Sequence, residues 1–246
     1  MIQTLKDFVW VFIGCGGTFY AASPYLAVLR RRYQGDSNTI LIDHDEVIKG
    51  NYGRQWPGIW GGTLKVTCAE RSLVLGPTQT VKLATMFSSA DEILAKETDG
   101  HPVLAIVSVD NDRTRIAVAD WLASRMSTGI MVVSGCEKEL GQCYSGVWMD
   151  GQSVHDWREH HKDVEDTGRA GLGMHRCNVQ DVRANALTGV LVGMCIEDVA
   201  LRLESNEWDE VYEFYWEMDS RQAVRMWTSG ATCGKGGDHG SGLEER

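Results

Sequence analysis

Nowhere in this chain do about 20 apolar residues run together, so no membrane span is expected. No CxxC occurs, and the cysteine count is an odd seven, which describes neither a disulfide framework nor a four-ligand zinc site. No structural zinc is therefore expected, and His155, His160, His161 and His175 read as solvated loop residues. A basic excess is missing too. With a net charge of −10 and a pI near 5.2, the protein is not built to hold nucleic acid by neutralising phosphates, and the local run Arg30, Arg31, Arg32 reads as a solvated helix end. The apolar start MIQTLKDFVWVFIGCGG lacks a small-residue cleavage site, which argues against a secretory signal and for a cytoplasmic protein.

What is present is an alternation. Apolar, β-rich runs and longer helix-patterned stretches follow one another through the first half, the signature of a parallel sheet with crossover helices. Strands are expected over 8–13, 39–42, 80–86, 103–109 and 130–133, and helices over 18–33, 64–74, 91–96 and 114–125. Ser89-Ala90-Asp91-Glu92 reads as a capping box opening the third helix. Beyond Ser134 the pattern changes. QCYSGVWMDGQSV suggests a strand and a turn at Asp150-Gly151; a polar stretch, 155–178, suggests a crossover or lid segment; and 179–204 carries apolar residues on one helical face. VYEFYWEM and AVRMWT, around Asp219-Ser220, read as a hairpin, and 230–246 as a disordered tail. The fold class is α/β, a Rossmann-like doubly wound, mostly parallel sheet with antiparallel strands toward the carboxyl end.

Three stretches carry chemistry. In the first, GCGG follows an apolar strand and precedes a helix, so Gly14, Gly16 and Gly17 can bring backbone N–H groups and a helix amino end to phosphate oxygens. The second, IDHDEVIKGNYGRQW, puts Asp43 at the end of the second strand, where a carboxylate accepts from ribose hydroxyls. It continues with Asn51, Arg54 and Gln55, and Lys65 opens the next helix. Two cations and two amides suit a triphosphate and the charge that grows on departing pyrophosphate. The third, AIVSVDNDRTR, ends a strand in Asp110-Asn111 at the carboxyl edge of the sheet, where Asp110 is suited to Mg²⁺.

Together these stretches resemble the ThiF/MoeB/HesA family, related to the adenylation domains of ubiquitin-activating enzymes, and short bacterial or phage ThiF-like proteins such as the PRTRC-system type in particular. The resemblance rests on GCGG, on Asp43, Asp45, Asn51, Arg54 and Gln55 in the spacing DxDxxxxxNxxRQ, on Gly62 and Lys65 as GxxK, and on Asp110, Asn111 and Arg115 as DNxxxR. It covers about residues 9–121 with specific motifs. It implies one adenylation domain over 1–229 that uses ATP and Mg²⁺ to activate a carboxylate of a ubiquitin-like protein, a peptide or a small molecule, and that works as a homodimer. Gly14, Gly16 and Gly17 would line the phosphates, Asp43 would hold the ribose, Asp45, Asn51, Arg54, Gln55, Lys65 and Asn111 would complete the nucleotide site, and Asp110 would bind the metal. Cys177, just before the last long helix, would stand where relatives carry a sulfur or acyl acceptor.

The departures set further expectations. Phe19 and Tyr20 replace small residues after the glycines and are expected to narrow the adenine pocket or shift the helix. The family's dimeric members lend an arginine from an amino-terminal helix; this chain starts almost at its first strand, so either Arg113 or Arg115 substitutes or this help is absent. Two rival readings fit less well: an NAD-dependent oxidoreductase would need a third glycine where Phe19 stands, and a catalytically silent binding module would have no need of Arg54, Lys65 and Asp110 together.

Overall fold

The computed structural model describes residues 4–33, 38–53, 55–73, 80–125, 127–136, 139–159, 161, 182–208, 210–218 and 224–232. Strands β1 (Val9–Ile13), β2 (Thr39–Ile42), β3 (Thr80–Leu83), β4 (Val103–Val107) and β5 (Gly129–Cys136) are parallel. Helices α1 (Gly17–Tyr33), α2 (Lys65–Leu73), α3 (Asp91–Glu97) and α4 (Asp112–Ala123) make the crossovers. After β5 the chain reverses into antiparallel β6 (Leu140–Met149) and β7 (Gln152–His155), then runs through the long α5 (Val182–Ser205) to the hairpin of β8 (Glu210–Met218) and β9 (Val224–Thr232). The sheet order is β3-β2-β1-β4-β5-β6-β8-β9, with β7 paired to β6.

The apolar runs are uninterrupted because both faces of the parallel strands are covered. In β1, Trp10 and Phe12 join the core beneath α1, α2 and α5, while Val9, Val11 and Ile13 join the one beneath α3 and α4. The same division separates Leu104 and Ile106 from Val103, Ala105 and Val107 in β4. Helices α1 and α5 approach closely. A side chain on Gly189 would lie 2.8 Å from the Ala22 backbone nitrogen, and one on Gly193 would fall inside the Tyr25 ring.

Several expected boundaries move. β3 ends at Leu83 and β4 at Val107, so Ser108 to Asn111 form a loop beyond the sheet. β5 is longer than expected and reaches Cys136, because β6 pairs with it along its full length. The capping box does not form: Phe87–Ser89 is a 3-10 turn running straight into α3, and Ala90 occupies the cap with no side-chain bond. Helix α4 starts early because the Asn111 side chain caps it, accepting from Thr114 N at 2.9 Å. The turn between β6 and β7 is Asp150-Gly151, with φ of 53° and 72°, both positive as a type I′ hairpin requires. The structure describes the later hairpin without Asp219-Ser220, and β9 continues to Thr232, into the stretch expected to be tail.

Polar positions also differ from expectation. Arg30 is buried and donates to Leu73 O at 3.4 Å, and burial lowers its pKa; Arg31 and Arg32 remain at the surface. His155 is buried at the end of β7, and His161 pairs with Glu213 at 2.8 Å while stacking on Tyr144. His160, His175 and Cys177 lie outside the described residues. Among the described residues, no helix is long and apolar enough to cross a membrane.

Candidate active site

The order β3-β2-β1-β4-β5 places the topological switch between β1 and β4, where the first crossover leaves one way and the later ones the other. A crevice opens there at the carboxyl ends of the strands. Gly14 leaves β1 with φ of 87°, and a Cβ on it would lie 2.6 Å from Ser108 O, so the position admits only glycine. Gly14 N donates to Ile42 O at 2.9 Å, and Ser108 N donates to Ile13 O at 2.8 Å, so the loop is stitched to both neighbouring strands. Helix α1 then begins at Gly17, and its unpaired N–H groups and positive end face the crevice mouth. Gly17 is packed from behind, since a Cβ there would meet Asn185 Nδ2 at 2.5 Å. Phe19 turns away from the crevice. It is 1% exposed, sits edge-on to Phe12 at 5.4 Å and does not line the cavity; Tyr20 packs on Trp56. The expected narrowing of the pocket by these two rings does not occur, because the helix directs them into the core under α1.

Asp43, at the end of β2, binds the glycine loop itself. Its Oδ2 accepts from Cys15 N at 2.7 Å and its Oδ1 from Asp45 N at 2.8 Å. A carboxylate has about four acceptor sites, so two remain for a ligand. Cys15 is sealed beneath: burial, then the neighbouring Asp43 charge, pushes its thiol well above the usual range. Lys65 is tied twice to Asp45, through its backbone N to Asp45 O at 3.0 Å and through Nζ to Oδ2 at 2.7 Å. The Lys65 side chain is 10% exposed against 50% for Asp45, so the ammonium sits inside and its partner outside.

Gln55 is 4% exposed and lines the cavity, yet its Oε1 has no hydrogen-bond partner. A buried acceptor left open is costly unless a ligand or water supplies the donor. Asn51 has a different place. Its Oδ1 accepts from Ile48 N at 2.9 Å, its carbonyl accepts from Gln55 N, and it holds the turn that presents Gln55 without reaching the cavity. Arg54 lies outside the described residues.

Asp110 stands exposed on the loop after β4, on the far wall from Asp43. Arg115, expected as one possible arginine donor to the reaction, is instead fixed in the wall: it bonds Asp112 at 3.0 Å, Val109 O at 3.0 Å and Ser134 O at 3.2 Å. Arg113 is exposed and lines the cavity.

The cavity holds about 620 Å³, within the range of small-molecule sites. Of the sequence-derived residues, Gly14, Gly16, Gly17, Asp43, Asp45, Gln55, Lys65, Asp110 and Asn111 line it together. Sequence reasoning missed two parts of the wall. One is the turn from Thr85 to Ser88, taken partly for strand; the other is Ser134, Gly135 and Cys136, where only the short apolar run up to Val133 was legible. For divalent metal, Asp43, His44 and Asp45 offer atoms within 4.8 Å of one another, but the Lys65 ammonium already occupies Asp45. Asp110, exposed on the cavity wall, fits Mg²⁺, which needs few protein oxygens beside phosphate and water.

The architecture and this crevice define the Rossmann-like ThiF/MoeB fold. Among solved structures, the chain is similar to PaaA (TM-score 0.60, 14% identity, 92% of this chain and 65% of that one). It is similar also to Escherichia coli MccB crystallised with ATP (TM-score 0.60, 16% identity, 93% and 65%) and to MccB with AMPCPP and MccA (TM-score 0.60, 16% identity, 93% and 66%). MccB is described there as a microcin C7 biosynthetic enzyme. The chain spans just under two thirds of the length of these proteins. No protein-family model and no curated protein matches the sequence.

Proposed function

We propose that this protein is an ATP- and Mg²⁺-dependent adenylyltransferase that activates a carboxylate, the carboxyl end of a peptide or ubiquitin-like protein, as an acyl adenylate. The observation that carries the reading is the convergence of the glycine loop, Asp43, Gln55, Lys65 and Asp110 on one cavity, with the buried Gln55 Oε1 left without a hydrogen-bond partner. The fold neighbour MccB, crystallised with ATP and with AMPCPP and MccA, supports both the nucleotide and a peptide substrate.

In this reading the amino end of α1 and the N–H groups of Gly16 and Gly17 receive the phosphates, Asp43 accepts from the ribose, and Gln55 Oε1 accepts from a ligand hydroxyl or amino group. A carboxylate oxygen attacks the α-phosphorus in line; the new acyl C–O–P linkage forms as the bond to pyrophosphate breaks. Catalysis is then positioning and charge neutralisation. Lys65, with Arg54, neutralises the charge growing on pyrophosphate. Mg²⁺, held by Asp110, would screen the triphosphate oxygens and so favour attack by an anion. Arg113 is the wall arginine available to the same end, and a homodimer is the assembly expected in solution.

The test is ATP–pyrophosphate exchange with a panel of peptides and ubiquitin-like proteins ending in free carboxylates, beside ATP binding by calorimetry. Exchange that requires one of the carboxylates and falls in Asp110→Asn is expected. A chain that binds no ATP overturns the reading.

A further inference from the structure

Trp56 holds a backbone conformation that its own side chain makes costly. Its φ is 51°, in the left-handed region that favours glycine, yet the residue is a bulky aromatic and 4% exposed. Such a conformation persists where the surroundings fix it, and here they do so from two sides. Two rings from the start of α1 seat the indole. Tyr20 meets it edge-on at 4.9 Å and Phe19 lies tilted against it at 6.2 Å, while Phe19 is itself edge-on to Phe12 at 5.4 Å. The indole Nε1 then donates to the carbonyl oxygen of Cys15 at 3.0 Å.

That carbonyl belongs to the glycine loop. The bond that opens α1 runs from Tyr20 N to Gly16 O, so Cys15 O stands ahead of the helix and takes the indole as its partner. Among the described residues no peptide bond is cis, so the C=O and N–H of the Cys15-Gly16 peptide point in opposite directions. Trp56 belongs to the core and does not line the cavity, whereas Gly16 does. With the oxygen drawn toward the core, the Gly16 N–H is turned to the cavity side. It is also the first N–H of the loop not already bonded: Gly14 N is held by Ile42 O at 2.9 Å and Cys15 N by Asp43 Oδ2 at 2.7 Å.

We propose that Trp56 is a positioning residue for nucleotide phosphate: it acts only through the Cys15-Gly16 peptide, whose N–H it aims at a phosphate oxygen. The inference rests on the adenylation reading above, which brings phosphates to the amino end of α1. Without the indole donor this peptide is free to rotate, because Gly16 has no Cβ to oppose it. Its oxygen would then face the anion that its N–H should meet, and a loop that attracts phosphate would repel it at that point.

Two variants of the full chain test this. Trp56→Phe keeps an aromatic ring and removes the donor. Replacement of Trp56 by benzothienylalanine, with sulfur where the indole has N–H, removes the donor and keeps the shape, and so decides the matter where the smaller ring loosens the core. ATP and AMP are titrated by calorimetry, and adenosine by its displacement of bound ATP. A loss of about tenfold is expected for ATP and AMP, the scale of one hydrogen bond to a charged group, with adenosine unchanged because it carries no phosphate. Equal losses for ATP and adenosine, or no loss in the benzothienylalanine chain, overturn the role of Trp56 and leave adenylation standing. A wild-type chain that binds neither ATP nor AMP overturns both.

Discussion

Lys65 and Asp45 hold each other at two levels, backbone to backbone at 3.0 Å and ammonium to carboxylate at 2.7 Å. The pair closes one side of the cavity, with the lysine the more buried partner. In the proposed adenylation, a cation held this way would meet an incoming triphosphate in a fixed position. Replacing Lys65 with Met keeps much of the side-chain volume and removes the charge, so ATP–pyrophosphate exchange should fall by about 10²–10³. Unfolding curves should move far less than the exchange rate; an equal loss of both would make the lysine structural.

Arg113 and Arg115 are two residues apart and have different duties. Arg115 is spread over Asp112 and the carbonyls of Val109 and Ser134, whereas Arg113 is exposed on the cavity wall. Arg115→Ala should destabilise the chain by about 2–4 kcal/mol, because it strips a charged donor from buried acceptors. Arg113→Ala should leave the denaturation midpoint in place and weaken exchange. Urea titration and exchange assays on the two variants separate these outcomes.

The glycines between α1 and α5 should respond unequally to a single methyl. At Gly189 the added Cβ meets the Ala22 backbone, which cannot move aside, while at Gly193 it meets the Tyr25 ring, a side chain near the surface. Gly189→Ala is expected to cost about 3 kcal/mol or fail to fold, and Gly193→Ala to cost less than half of that as the ring swings out. Thermal unfolding monitored by circular dichroism reads the difference.

Tyr144 is buried on β6 with no partner for its hydroxyl, and burial pushes its pKa up to about 12 from 10. Between those two values the unfolded chain has lost the phenolic proton and the folded chain has kept it. Stability therefore falls as pH rises from about 10 toward 12, by about 1.4 kcal/mol per pH unit from this group alone. Tyr144→Phe should remove that slope, and at neutral pH it should be neutral or stabilising, since it deletes an unpaired buried hydroxyl. Urea midpoints at pH 9, 10 and 11 for both chains provide the check.

Most of the frame was readable because the parallel strands are buried on both sides, so they print as runs of Val, Ile and Leu that only glycine or charge interrupts. That Gly14, Asp43 and Asp110 come to line one cavity was readable for a related reason: residues at the carboxyl ends of neighbouring parallel strands meet at one edge of the sheet. What could not be read depends on contacts far apart in the chain. Nothing near Asn185 announces that it backs Gly17, and Phe19 reads as a pocket residue until the pitch of α1 turns it toward Phe12. Arg115 and Asn111 belonged to the same motif as Asp110, yet one is a strut of the wall and the other a helix cap that also borders the cavity. Cys136 escaped notice because β5 extends beyond its apolar stretch only when β6 is there to pair with it.

The close seating of α1 on α5 also bears on how this sequence can change over time. Gly17 and Asn185, Ala22 and Gly189, and Tyr25 and Gly193 are three matched pairs along one seam, in which bulk gained on one helix has to be surrendered by the other. The two helices are therefore free to drift together but not singly. Among descendants of this chain, paired replacements at these positions should persist where single ones are purged, and the amino end of α1 should keep its position through that drift.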